Sequence, residues 1–399
     1  MRRGLALGTA ATILLAAVSV VAAQGAPSAD GSNPVTAYAA SLGGSGERPA
    51  AKGVKAGAGG LFRGIVTRTG GKSTISWSLT FTKLNGAALA AHIHIGKPGR
   101  AGPVVVPLCG PCRSGQNGTA PLSAKALSAL ASGNTYVNVH TKRNPGGEIR
   151  GQVGTAHAVA AGLDAASEVP APKGVPAGAG GAFSAIVIDV TPRPLMLWSL
   201  SFQGLSGDAS AAHIHLGKAG SPGPVVLPLC GPCTSPLTGR KAIDANLAAA
   251  IESGGTYVNV HTAANQAGEI RGQLIRATQG VAALTTSVGS ILVDDRGFTL
   301  YDFLADKGTQ SACYGRCATF WPPAYAYGSP IAAEGTKATI LATVKRTDGT
   351  TMLVYDGHPV YGFLPDANVG DMKGQGSTAF GAAWWVLDGA TGAEIKAKP

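Results

Sequence analysis

Eight histidines occur in the chain, and six of them fall into two matching patterns. His92 and His94 flank Ile93, and His140 lies further along; His213, His215 and His261 repeat the arrangement. In a β-strand, residues i and i+2 project from one face. His92 and His94 are therefore neighbours, and so are Tyr136, Asn138 and His140 on a second strand. If the two strands are adjacent, three imidazoles converge in each pattern. Three neutral imidazoles suit Zn2+ or Cu2+, with a fourth position open to water or substrate. Glu148 and Glu269 offer a further ligand or an acceptor behind the histidines. A structural alternative stands beside this one: histidine and asparagine on a sheet can bond one another, or Arg150 and Arg271, and simply fix the strands.

The six cysteines form three close pairs: Cys109/Cys112, Cys230/Cys233 and Cys313/Cys317. In an exported protein such pairs are expected to be disulfides that pin local loops. Cys-Gly-Pro-Cys is also a redox motif, but that chemistry needs the first cysteine at a helix N-terminus. Arg113–Gly118 and Thr234–Pro236, which follow the two copies, read as loops.

These groups must be positioned by strands. From Thr74 to Lys83 the chain alternates, with Ile75, Trp77, Leu79 and Phe81 on one face and Ser or Thr on the other. That period of two predicts a half-buried strand. One helix is expected, capped by Ser123, with Leu127 and Leu130 on its apolar face and Gly133 ending it. In the second pattern the cap is Asp244 and the stop Gly254, which keeps the capping chemistry. Trp77/Trp198, His92/His213, Cys109/Cys230 and Glu148/Glu269 all differ by 121 (213 − 92). A constant offset over that length means tandem duplication of one domain. The two histidine patterns therefore count as one observation.

The opening Glu47-Arg48-Pro49 (Glu168-Val169-Pro170), the Ala-His-Ile-His strand, and Tyr-Val-Asn-Val-His-Thr leading to Gly-Glu-Ile-Arg-Gly-Gln resemble the CHRD domain, named after chordin. The resemblance implies an antiparallel β-sandwich of immunoglobulin-like or superoxide-dismutase-like form for residues 36–153 and 157–276. The growth-factor binding of chordin lies in separate cysteine-rich modules, for which six cysteines are too few, and it is not carried over. His-x-His on a strand plus a distant His is also how copper–zinc superoxide dismutases begin their copper site. No bridging histidine is identifiable here, and dismutase activity is not predicted.

Beyond an expected linker at 277–287, residues 288–395 follow a different β-rich pattern. Tyr301-Asp302-Phe303-Leu304-Ala305-Asp306 matches Tyr361-Gly362-Phe363-Leu364-Pro365-Asp366 at an offset of 60. Asp348-Gly349 signals a hairpin. With Cys313, Cys317, Trp321-Pro322-Pro323 and Trp384-Trp385, this resembles a bacterial secreted or lipoprotein repeat defined by Tyr, four residues, Asp. Its aromatics are expected to pack a core, with a carbohydrate platform as the alternative.

Composition sets the outer limits. Of 399 residues, 45% are hydrophobic, 58 are Gly and 25 Pro, a mix that favours short strands and turns over helical bundles. Met1-Arg2-Arg3, an apolar run to Ala23 and Val21-Ala22-Ala23 read as a signal peptide (1–23), cleaved after Ala23 and followed by a linker at 24–35. No later run is long enough to span a bilayer. The net charge of +11 falls to +9 without Arg2 and Arg3, and its excess is spread along the chain. That pattern favours an anionic wall polymer, a glycan or a protein at the cell exterior over nucleic acid.

No nucleophile elbow, zinc-protease motif or P-loop occurs, so no catalytic or organic-cofactor residue is named. The reading that follows is an all-β, secreted or surface-associated module that is structural, adhesive or ligand-binding. The alternative is a Cu- or Zn-binding protein or metalloenzyme with one histidine triad per repeat. A third is thiol–disulfide exchange.

Overall fold

The computed structural model describes residues 34–397 and residue 399. The expected signal peptide lies outside the described residues. In the first repeat the strands are β1 (Val35–Gly43), β2 (Gly59–Thr69), β3 (Lys72–Thr82), β4 (Ala88–Ile95), β5 (Val104–Cys109), β6 (Gln116–Pro121), β7 (Thr135–Thr141) and β8 (Ile149–Gln152). Helix α1 (Ala124–Ala131) precedes β7. Antiparallel pairing runs β6-β3-β2-β1 in one sheet and β8-β7-β4-β5 in the other. The two sheets join at Gly43 and Arg150 and enclose Phe62, Ile75, Trp77, Leu79, Ile93, Val137 and Val139. Linker residue Val35, expected to be irregular, opens β1 instead.

The second repeat copies this order with β9 (Gly154–Asp164), β10 (Gly180–Ile188), β11 (Leu195–Gln203), β12 (Ala209–Leu216), β13 (Val225–Cys230), β14 (Leu237–Ala242), α2 (Ala245–Glu252), β15 (Thr256–Thr262) and β16 (Ile270–Gln273). The helices are capped as expected. Ser123 Oγ accepts from the Ala126 N–H at 3.2 Å, and Asp244 Oδ1 from the Leu247 N–H at 2.7 Å. Gly133 and Gly254 end them at φ 66° and 69°, where a Cβ would be strained.

The segment 277–287 is not a linker. It lies mainly in β17 (Ile275–Thr286), which pairs with β9 and then with β18 (Gly289–Asp294), so one strand carries the chain out of the second repeat. Burial of Gln279, Val281 and Ala282 explains why a stretch with loop-like composition is extended. The remaining elements are β19 (Tyr301–Phe303), α3 (Arg316–Phe320), β20 (Tyr325–Ala332), β21 (Leu341–Lys345), β22 (Thr351–Tyr355), β23 (His358–Pro359), β24 (Trp384–Leu387) and β25 (Glu394–Ile395). Gly349, at φ 82°, turns the hairpin between β21 and β22.

This third unit docks on the first. Val35 and Ile65 share a core cluster with Ile291, Trp321, Ile331 and Trp384. Arg63, on the outer face of β2, donates to the carbonyls of Tyr327 and Ser329, both at 2.6 Å. The strand at Thr74–Lys83 was expected to be half-buried, yet Ser76 and Ser78 on the polar face of β3 are buried as well.

Candidate metal centre

Strands β4 and β7 are neighbours, in a register that places His92 opposite Asn138 and His94 opposite Tyr136. The aliphatic residues Ile93, Val137 and Val139 point into the sandwich, which turns the histidines to the opposite face. One ligand atom from each of His92, His94 and His140 lies within 4.8 Å of the others. His213, His215 and His261 converge in the same way between β12 and β15. Tetrahedral nitrogens at about 2.0–2.1 Å from Zn2+ are roughly 3.3 Å apart.

Backbone carbonyls determine which nitrogens face inward. His94 Nδ1 lies 2.9 Å from the Gly102 carbonyl, and His140 Nδ1 2.9 Å from that of Pro145. A carbonyl only accepts, so each Nδ1 carries the proton and each Nε2 keeps its lone pair. His92 Nδ1 lies 3.1 Å from His140 Nε2. His94 Nε2 is buried and has no hydrogen-bond partner. In the second repeat Gly223 and Gln266 supply the carbonyls, His213 and His261 are 3.0 Å apart, and His215 Nε2 is again without a partner.

Burial pushes His92 below the usual histidine range, assisted by His140 and His94. Burial does the same to His94, against a hydrogen bond to Gly102 that acts the other way. His213, His215 and His261 are lowered for the same leading reason. These imidazoles are neutral at pH 7, the form that binds metal. These faces are not open to solvent: His94, His215 and His261 are all buried.

Behind each cluster lies a stacked support. Tyr136 stacks on His94 with ring centroids 4.8 Å apart, and the Arg150 guanidinium sits 3.3 Å above the Tyr136 ring. Tyr257, His215 and Arg271 repeat the stack at 4.9 and 3.4 Å. Arg150 donates to the Arg100 carbonyl at 2.7 Å, and Arg271 to that of Ser221 at 2.8 Å.

The two glutamates expected near the histidines are elsewhere. Glu148 accepts from the Asn85 N–H at 2.7 Å and the Thr141 hydroxyl at 2.6 Å; Glu269 accepts from Ser206 and Thr262. Both brace the loop before β8 or β16 and have no free oxygen to offer. The carboxylates behind the clusters are Glu47 and Glu168, from the Glu-x-Pro openings. Both are almost fully buried, and burial pushes Glu47 up to about 7 against the pull of Arg150. Their spacing gave no signal, because Glu47 and Glu168 lie far in sequence from every histidine of the cluster each one backs.

The cysteine pairs are the three expected disulfides. Cys109 and Cys230 each end a strand rather than open a helix, and Cys112 and Cys233 pack against the sandwich cores. In the third unit Trp321 and Trp384 stack at 3.9 Å and are completely buried, so these aromatics are core and not a carbohydrate platform.

Fold and site together define a class: a tandem β-sandwich protein with one imidazole cluster on each sandwich and a smaller β-rich unit docked on the first. The CHRD domain matches residues 38–153 and 159–274, and the chain belongs to the CHRD domain family. A secreted repeat of unknown function matches residues 282–325 and 342–388. No curated protein and no solved structure matches the chain. Among the described residues, no helix is long and apolar enough to cross a membrane.

Proposed function

We propose that this is an exported protein that binds one Cu2+ or Zn2+ ion in each CHRD repeat, through His92, His94 and His140 and through His213, His215 and His261. The observation that carries this reading is the pair of unpartnered, buried lone pairs on His94 Nε2 and His215 Nε2, each facing two further imidazoles. An unsatisfied buried acceptor costs on the order of 1–3 kcal/mol. A cation converts that cost into a bond. The donor nitrogens are His92 Nδ1, His94 Nε2 and His140 Nε2, with their second-repeat counterparts. His92 and His213 shift their proton to Nε2 when the ion enters.

The test is bound metal per mole, by mass spectrometry, on the mature chain exported without a polyhistidine tag. About two Cu or Zn per chain are expected, and they are lost in a His92→Ala/His213→Ala variant. Protein that is metal-free and also ignores micromolar Cu2+ and Zn2+ sinks the proposal.

A second reading has its own observation. The direct contacts between His92 and His140 and between His213 and His261 satisfy those rings without an ion. On that reading the clusters fix the strands of a structural, adhesive or ligand-binding module, and the alanine variant loses stability rather than metal.

A further inference from the structure

We infer that Asn138, and Asn259 in the second repeat, supplies a fourth donor to the imidazole cluster through its side-chain carbonyl oxygen. This rests on the metal reading above and deepens it from three nitrogens to three nitrogens and one oxygen.

Asn138 stands directly across from His92 in the strand register and two residues before His140, so its side chain projects from the histidine face. It is only 2% exposed. Its amide nitrogen is held away from the cluster. Nδ2 donates to the Gly146 carbonyl at 3.3 Å, and the Glu47 carboxylate lies against the same group. The three meet so closely over Gly147 that a Cβ there would collide with both Glu47 and Asn138. With Nδ2 fixed on that side, Oδ1 is on the other, close enough to His94 to accept from its protonated ring, but the neutral ring carries its proton on Nδ1 and leaves Oδ1 without a donor.

His94 cannot provide that partner, because its proton is on Nδ1 and engaged with Gly102. Two buried acceptors, His94 Nε2 and Asn138 Oδ1, therefore face one space with no donor between them. A cation satisfies both. The second repeat, a duplicate of the first, shows the same arrangement. Asn259 Nδ2 donates to Ala267 at 3.4 Å, Glu168 crowds Gly268, and Asn259 Oδ1 and His215 Nε2 are both without a partner. Glu47 and Glu168 are thus positioning residues, which stop the amide from turning its N–H groups toward the ion. Three nitrogens and one oxygen suit tetragonal Cu2+ as well as tetrahedral Zn2+.

The experiment titrates Cu2+ alone into the full mature chain and records affinity and the electron paramagnetic resonance spectrum. Asn138→Leu/Asn259→Leu keeps the volume and removes the oxygen. It is expected to weaken Cu2+ about 10- to 100-fold and to change the copper hyperfine splitting. Asn138→Asp/Asn259→Asp keeps an oxygen and adds charge, so it is expected to bind more tightly, with a shifted splitting. Glu47→Gln/Glu168→Gln is expected to fall between wild type and the leucine variant. Leucine variants that bind Cu2+ with unchanged affinity and spectrum overturn the assignment while the three-histidine site stands. If they do not fold, an unchanged spectrum in the aspartate variants overturns it instead. Wild-type protein that takes up no copper removes the metal reading itself.

Discussion

Tyr301 donates a hydrogen bond to Asp366 at 2.7 Å, and Tyr361 donates to Asp306 at the same distance. The Tyr, four residues, Asp spacing therefore does not pair residues within one motif. Each tyrosine reaches the aspartate of the other, so the two half-repeats latch reciprocally. Burial raises both phenols and holds Asp366 near 6. Replacing Tyr301 by Phe leaves a buried carboxylate short of a donor. A loss of about 1–3 kcal/mol is expected, read from urea denaturation followed by tryptophan fluorescence. Asp366→Asn added to Tyr301→Phe should cost much less than the sum of the two. Full additivity would mean that the latch contributes nothing.

That latch shows where sequence reading reached its limit. The offset of 60 exposed the half-repeat and the offset of 121 exposed the duplication, because repetition is a property of the string itself. Strand alternation likewise placed His92 and His94 side by side. Which strand lies next to which is set by non-local packing, so the meeting of His94 with His140 was only a conditional expectation. Glu148 was expected to be a further ligand or an acceptor behind the histidines, and Glu47 stood out only as part of the repeated Glu-x-Pro opening. In the fold the Glu148 side chain turns into the preceding loop, and Glu47 arrives from a different strand edge. The outer face of β3 read as the polar side of a half-buried strand because its serines and threonines alternate with core residues. Docking of the third unit, which no local pattern encodes, covers it. The stretch 277–287 read as a linker for the same reason: its partners, β9 and β18 along one edge and β20 along the other, are set by the fold and not by local pattern.

A buried acid with a raised pKa has a definite sign in stability. Glu47 titrates at about 7 in the folded chain and at about 4.3 when unfolded. Between those values the folded state holds the extra proton, so its contribution to stability is present below about pH 4 and is lost as pH rises through 7. Relative to Glu47→Gln, the wild-type chain should lose on the order of 1–3 kcal/mol between pH 4.5 and 7.5. Parallel thermal melts of metal-free protein at several pH values check this. A difference that does not change with pH would show that Glu47 is ionised throughout.

Arg63 fastens the third unit to the first repeat. Its guanidinium is buried, satisfies two carbonyls in β20 and faces the Tyr327 ring at 5.9 Å. Truncation to Ala would strand both carbonyls and open a gap the size of the side chain. A cost of about 2–4 kcal/mol is expected, localised at the junction. Hydrogen exchange should speed up at residues 325–333 and on the outer face of β2, while strands β4 and β7, which carry the imidazole cluster, keep their protection. Uniform acceleration across the chain would point to global destabilisation instead.

The disulfides should differ in importance although all close short loops. Chain entropy assigns about 2 kcal/mol to a loop of this length. Cys109 and Cys112 fasten the end of β5, and Cys109 is only partly buried, so a double serine variant should add a smaller hydroxyl penalty there, mainly at Cys112 against the sandwich core. Cys313 is fully buried, and its sulfur lies 3.8 Å from the Trp321 carbonyl beside the stacked tryptophans. A pair of serines there places hydroxyls in an apolar cluster, which adds about 1–3 kcal/mol. Cys313→Ala/Cys317→Ala avoids that penalty and should be the milder variant by a similar amount. Denaturant midpoints of the three double variants decide the matter: equal losses at both sites, or alanine worse than serine at Cys313, would show that the bond and not the burial controls the stability of the third unit.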